Sequence, residues 1–268
     1  MKKFLVILSV ILVSSVSAHQ FEWNYTFNKI NLISVPTAAG FGYLGYKNYS
    51  TVRAYSDQEI LQTQNSQKLS HYRFSEPLDD FGTYAAYSAA GLSVIASAPM
   101  LGWNSKKILT AGYMYMHMLV LERGMAGIVK NVSRVPRPYV FDPSVPLSYK
   151  RDKQKDAYMS FYSAHTSFAF ANAFFWSDMI NYSYLNRKWK MYGKAFLYGS
   201  ATLVGVTRYF SGQHFAQDIV VGAGVGVIIA YFTLKIHDMY DMEPFNKKYN
   251  SSLTISPTSN GVYLALSF

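Results

Sequence analysis

From about Thr83 onward, five apolar stretches follow one another, at roughly 84–103, 107–127, 163–180, 193–209 and 217–236. Each is long enough for a helix and nearly free of interior charge, which predicts a bundle of helices rather than a sheet. Glu122 and Arg123 interrupt the second stretch, and the fourth has only about a dozen uninterrupted apolar residues against the roughly 20 a bilayer crossing takes. Both a packed core helix and a membrane span therefore satisfy the pattern. The last stretch, Ile219 to Leu234, is the most lipid-like, and Gly222 and Gly226 four residues apart would let a neighbouring backbone approach closely.

The flanks have different patterns. Residues 1–18 open on Lys2 and Lys3, continue with the apolar run Phe4 to Val13 and close on Val16, Ser17 and Ala18, the layout of a secretory signal, or of a signal anchor if uncleaved. Residues 19–83 are mixed and aromatic, with Gly40, Gly42 and Gly45 in a Tyr-rich stretch and a helical pattern from Ser56 to Gln67; no chemistry is legible there. The tail, 239–268, ends in an alternating pattern around Leu253 and Ile255, a Pro257 to Gly261 turn and Val262 to Phe268, which predicts a short β-hairpin. The expected fold is all-α: a core of about five to six helices over 84–238, with an aromatic-rich peripheral region before it and the hairpin after it.

Composition narrows the chemistry. There is no cysteine, which excludes disulfides, thiolate metal sites and cysteine nucleophiles. The formal charge of +10 falls to +8 if Lys2 and Lys3 leave with a signal, and it favours anionic partners such as phosphoesters or acidic headgroups. Nucleic acid is not an expected partner of an exported chain. The acidic residues are few and lack ligand spacing, so no metal and no cofactor is expected.

Three short segments stand out. Lys130 to Pro138 follows the second stretch and puts Lys130 and Arg137 on a turn. Tyr162-Ser163-Ala164-His165 opens the third, where a helix N-terminus offers free N–H groups to an anion. Thr207-Arg208 closes the fourth, followed after five residues by His214 and then by Asp218, which opens the last. An even number of helix crossings separates each segment from the others, so all three fall at one end of the bundle.

Three cations, two imidazoles and a carboxylate around one point suit a phosphoryl group. With Asp218 four residues from His214, the carboxylate can hold one ring nitrogen as N–H and leave the other free to attack phosphorus. His165 would protonate the leaving alkoxide. Lys130, Arg137 and Arg208 would bind the equatorial oxygens.

These segments resemble the three signature motifs of the type 2 phosphatidic acid phosphatase (PAP2) superfamily, K-x6-R-P, P-S-G-H and S-R-x5-H-x3-D. Lys130, Arg137, Pro138, Ser163, His165, Arg208, His214 and Asp218 all fall in register. The resemblance covers about residues 84–238. It implies a helical bundle, His214 as nucleophile, His165 as general acid, and phosphate contacts from Ser163 and the backbone amide of Ala164. Tyr162 stands in place of Pro, Ala164 of Gly and Thr207 of Ser; none of the three removes a reacting group. Vanadium haloperoxidases are similar in the same motifs, because vanadate mimics a bound phosphate.

The other histidines, His19, His71, His117 and His237, lack suitably spaced partners and receive no role. Lys150, Arg151, Lys153 and Lys155 alternate with Asp152 and Asp156 and read as a solvated loop. Arg134 lies outside the defining positions. If the helices span, Lys106, Lys107, Arg187, Lys188, Lys190 and Lys194 fall at the end opposite the motifs, so the positive-inside rule puts the site outside the cytoplasm. The expected function is hydrolysis of phosphomonoesters or lipid-linked phosphates or diphosphates at the cell envelope, by a membrane-associated or periplasmic protein. The alternatives are a soluble periplasmic acid phosphatase of broad specificity, a haloperoxidase and a non-catalytic anion-binding membrane protein.

Overall fold

The computed structural model describes residues 29–51, 53–67, 74–237, 252–258 and 261–267. The signal segment, His19 and His71 lie outside them. Eight α-helices occur among the described residues: α1 (Lys29–Thr51), α2 (Asp57–Ser66), α3 (Glu76–Met100), α4 (Ser105–Ser133), the short α5 (Leu147–Asp152), α6 (Ala164–Met179), α7 (Arg187–Phe210) and α8 (Ala216–His237). The chain divides into two compact units, residues 30–247 and the two termini. In the second of these, Ser252–Thr258 and Gly261–Ser267 pair as an antiparallel β1–β2 hairpin with Ile255 opposite Leu264.

Local chemistry fixes where the long helices begin and turn. The side chain of Asn104 accepts the Lys107 N–H at 3.0 Å to cap α4, and Asn186 does the same for Trp189 at 3.1 Å in α7. Glycine is used at Gly102 (φ 67°) after α3 and at Gly212 (φ 71°) after α7, where the backbone is left-handed. Because α4 and α7 keep their charged flanks as helix, they extend beyond the apolar stretches that reveal them. In the same way α3 starts at Glu76 with Pro77 in its first turn, several residues before the apolar run.

Helices α3, α4, α6, α7 and α8 enclose a core that includes Met114, Met118, Phe175, Trp176, Met179 and Val204. Helix α6 is central: it packs against α3, α4, α7 and α8. Its contact with α8 depends on glycine. A Cβ at Gly222 would lie 2.6 Å from the Ser163 carbonyl oxygen, and one at Gly226 would lie 2.1 Å from that of Ser167. The close approach expected of this glycine pair is therefore made, and it is made onto the segment that carries His165. The peripheral helix α1 uses the same device against α4, since a Cβ at Gly45 would lie 2.5 Å from the Gly124 carbonyl oxygen.

A second, smaller core caps one end of the bundle. Ile60 of α2 packs with Tyr139, Val140, Val145, Ala157 and Tyr158 from the segment between α4 and α6, and Tyr55 stacks on Tyr158 with ring centroids 3.6 Å apart. Lys150 corrects the reading of the basic run as a solvated loop. It is fully buried, and its Nζ donates to Gln64 Oε1 at 2.6 Å and to the Asp142 carbonyl at 2.7 Å. Lys155 in turn lies 4.0 Å from the centre of the Tyr49 ring and donates to the Tyr49 carbonyl at 2.7 Å. Alternating charge disguised a segment whose partners come from α1 and α2, far away in sequence.

The bundle's outward faces are apolar. Among the described residues, one helix, Ala216–His237, is long and apolar enough to cross a membrane by length and composition. Large side chains also stand exposed on α3 (Leu92, Ile95), α7 (Leu203, Phe210) and α8 (Ile228, Phe232).

Candidate active site

The capped end of the bundle receives the end of α4, the start of α6, the end of α7 and the start of α8. Backbone bonds tie these pieces together. The Ser163 N–H donates to the Asp218 carbonyl at 3.1 Å, the Tyr139 N–H to the Gly212 carbonyl at 3.1 Å, and the Arg137 N–H to the Ala157 carbonyl at 2.8 Å. The three sequence segments thus meet at one end, as the crossing count requires.

His214 lies at the centre, on the turn between α7 and α8, and is almost fully buried. Its Nδ1 lies 3.5 Å from Asp218 Oδ2 and 3.4 Å from Ser160 Oγ. The Ser160 hydroxyl donates to the same Oδ2 at 2.6 Å, and the Phe215 N–H does so at 3.0 Å. Asp218 is therefore oriented by two donors, and it faces the ring edge that carries Nδ1. The opposite nitrogen, Nε2, lies 3.5 Å from Arg137 Nη1. Burial, then the positive charges of Arg137, Lys130 and Arg208 and the His165 imidazole, hold His214 well below the ordinary imidazole range. These surroundings keep the ring neutral, with a lone pair on the Arg137 side when Asp218 holds the proton at Nδ1.

The cations are held by carbonyls of the segment before α6, by Gln213 and by α3. Arg137 Nε donates to the Asp156 carbonyl at 2.7 Å and Nη1 to Gln213 Oε1 at 2.8 Å. Lys130 Nζ, in the last turn of α4, donates to the Met159 carbonyl at 2.5 Å. Arg208 is paired through Nη1 with Asp79 of α3, and the Thr83 hydroxyl lies 3.2 Å from the same nitrogen. Its Nε is buried without a partner among the described residues.

Ser163 caps α6, its Oγ accepting from the Thr166 N–H at 3.4 Å and lying 2.9 Å from Thr166 Oγ1. In this arrangement its hydroxyl is spent on the helix start, and Ala164 is the first residue of α6. His165 follows one residue later, edge-on to Tyr87 of α3 at 6.2 Å between ring centres. Arg134 turns away into the left-handed position that ends α4, its Nε bonded to the Asn131 carbonyl at 3.0 Å. His117 and His237 contact each other elsewhere in the bundle, Nδ1 to Nε2 at 2.5 Å.

Four neighbours of the site escaped the sequence reading. Asp79 and Thr83 lie on α3, Ser160 lies between the first two segments, and Gln213 directly precedes His214. A first-turn acid such as Asp79 reads locally as a helix-dipole residue. Ser160, five residues before His165, carries no spacing rule. Tyr49, on α1, reaches the site's edge by donating to both carboxylate oxygens of Asp156 at 3.1 Å.

The sequence profile of the PAP2 superfamily matches residues 109–241, a span that contains all three segments and excludes α3. Among solved structures, the chain is similar to LpxE of Aquifex aeolicus, at 23% identity over 66% of this chain and 93% of that one, with a TM-score of 0.42. It is also similar to the first transmembrane PAP2 type phosphatidylglycerolphosphate phosphatase from Bacillus subtilis, at 18% identity over 77% of this chain and 98% of that one, with a TM-score of 0.44. No curated protein shows a significant match. With Lys130, Arg137, His165, Arg208, His214 and Asp218 all inside the matched span and in the spacing of the three motifs, residues 109–241 belong to the PAP2 superfamily, the phosphatase family those motifs resemble.

Proposed function

We propose that the chain is a metal-independent phosphatase that acts on a phosphomonoester, or on a lipid-linked phosphate or diphosphate, through a phosphohistidine at His214. The observation that carries this reading is the placement of His214: buried, backed at Nδ1 by Asp218 and Ser160, with Nε2 turned toward Arg137. Nε2 attacks phosphorus as the bond to the leaving oxygen breaks, and His165, which burial and the site's cations hold below the ordinary imidazole range until the phosphoryl dianion binds and favours the imidazolium, gives that oxygen its proton. The neutralised His165 then takes a proton from water, whose oxygen attacks the phosphohistidine and releases phosphate and His214. Lys130, Arg137 and Arg208 carry the charge on the three equatorial oxygens, and the free N–H groups at the start of α6, from Ala164 onward, add to them. The Ser163 hydroxyl joins if it rotates out of its cap.

The apolar outward faces of α3, α7 and α8 support a membrane-embedded bundle and, with it, a lipid phosphate as substrate. Lys107, Arg187, Lys188, Lys190 and Lys194 crowd the end opposite the site, which supports an extracytoplasmic active site under the positive-inside rule. Phosphate release from a panel of soluble and lipid phosphates tests the reaction. His214→Ala should abolish both release and the acid-labile phosphohistidine trapped in the wild type; undiminished turnover would sink the mechanism. A chain that leaves membranes in high salt without detergent would favour the soluble acid phosphatase instead.

A further inference from the structure

Gln213 is 3% exposed and lies on the turn that carries His214. Its backbone N–H and that of His214 both donate to the Arg208 carbonyl, at 3.3 and 3.2 Å, so this turn sets Gln213, the nucleophile and a phosphate-binding arginine in fixed register. The side-chain oxygen accepts from Arg137 Nη1 at 2.8 Å. A guanidinium can only donate, so the amide's orientation follows from chemistry: oxygen toward Arg137, NH2 on the other branch. That NH2 is buried with no acceptor among the described residues.

A buried donor without an acceptor carries an uncompensated desolvation penalty, and Arg208 Nε is a second such donor in the same site. Two orphaned donors, one of them on the amide that holds the arginine facing His214 Nε2, call for a ligand rich in acceptors. A tetrahedral oxyanion supplies them. We propose that Gln213 is a substrate-contacting residue: its NH2 donates to a non-bridging oxygen of the phosphoryl group attacked by His214, while its Oε1 holds Arg137. This assignment rests on the phosphatase reading and adds to it a neutral donor that none of the three motifs specifies.

The test uses the full chain with p-nitrophenyl phosphate as substrate and orthovanadate as inhibitor. Gln213→Met removes both ends of the amide at similar length, whereas Gln213→Glu keeps an oxygen for Arg137 and loses the donor. The contact predicts that both variants weaken vanadate inhibition tenfold or more and lower kcat/KM at least as much, with melting temperatures close to wild type. A Glu variant that keeps vanadate inhibition within twofold while Met loses it would reduce Gln213 to a positioning residue for Arg137 and overturn the proposal. So would wild-type inhibition in both. A wild-type chain that neither hydrolyses the substrate nor responds to vanadate would instead overturn the phosphatase reading on which the contact depends.

Discussion

Arg208, the arginine of the third motif, is held by Asp79, a residue of α3 that lies outside all three motifs. Both side chains are largely withdrawn from water, at 3% and 13% exposure. The carboxylate and the Thr83 hydroxyl engage Nη1, so the guanidinium is held by one end while Nε stays unpaired. An arginine restrained in this way loses little further freedom when an anion arrives.

Asp79→Asn should therefore have two separable effects. Breaking a buried ion pair by removing one partner costs about 3–5 kcal/mol, so the melting temperature should fall. Vanadate should then stabilise the variant less than the wild type, because the guanidinium that Asp79 held in place must be ordered when the anion binds. Thermal melts with and without vanadate measure both, and equal vanadate shifts in the two proteins would contradict the role given to Asp79.

Ser160 has a narrower task. Its hydroxyl donates to Asp218 Oδ2 and sits 3.4 Å from His214 Nδ1, so it keeps the carboxylate facing the ring. Ser160→Ala leaves a buried carboxylate oxygen one donor short, a loss of about 1–3 kcal/mol. If that loss falls on the orientation of His214, kcat drops by about 10- to 100-fold with KM little changed. Steady-state kinetics on the purified variant decide it, and an unchanged kcat would show that Asp218 needs no help.

The glycines of α8 give a contrast within one helix. A Cβ at Gly226 would meet the Ser167 carbonyl at 2.1 Å and one at Gly222 the Ser163 carbonyl at 2.6 Å, while one at Gly224 meets nothing within 4 Å. Gly222→Ala and Gly226→Ala should each destabilise by about 1–3 kcal/mol through forced backbone shifts. Gly222→Ala should also cut activity, since the carbonyl it pushes belongs to the residue that caps α6 two positions before His165. Gly224→Ala should be neutral or stabilising by up to about 1 kcal/mol from helix propensity. Melting temperatures of the three variants in one detergent provide the comparison.

What the sequence makes legible follows from the range of each signal. The apolar stretches and the crossing count suffice for the bundle and for the meeting of Lys130, Arg137, His165, Arg208, His214 and Asp218, because helix direction is a property of the chain's order. The residues that orient these groups obey no such rule. Asp79 is 129 positions from Arg208, and Gln64 is 86 from Lys150. Their local contexts, a helix start and a polar helix, have complete explanations that involve no partner. Charged flanks misled in the other direction: Glu76 to Asp80 look like a boundary, yet they are the first turn of α3 and bring Asp79 to the site.

The pH dependence of activity follows from His214. In the proposed mechanism the ring must be unprotonated to attack, and burial with the neighbouring cations keeps its protonation well below the usual imidazole range. The acid limb of kcat/KM, which reports the free enzyme, should therefore lie below the ordinary imidazole range once the substrate's own ionisation is taken into account. Stability carries the same sign. The unfolded chain binds a proton at about pH 6.5 and the folded site resists it, so the stability contribution is full above that pH and is lost as pH falls toward the folded value. His214→Gln removes the titrating group, so its melting temperature should decline less steeply with acid than the wild type's. Bound vanadate should also flatten the wild-type curve, because an anion against the ring offsets the cations that disfavour protonation. Parallel acid profiles for wild type, His214→Gln and the vanadate complex would mean that another group governs acid stability and that His214 is not held neutral by its surroundings.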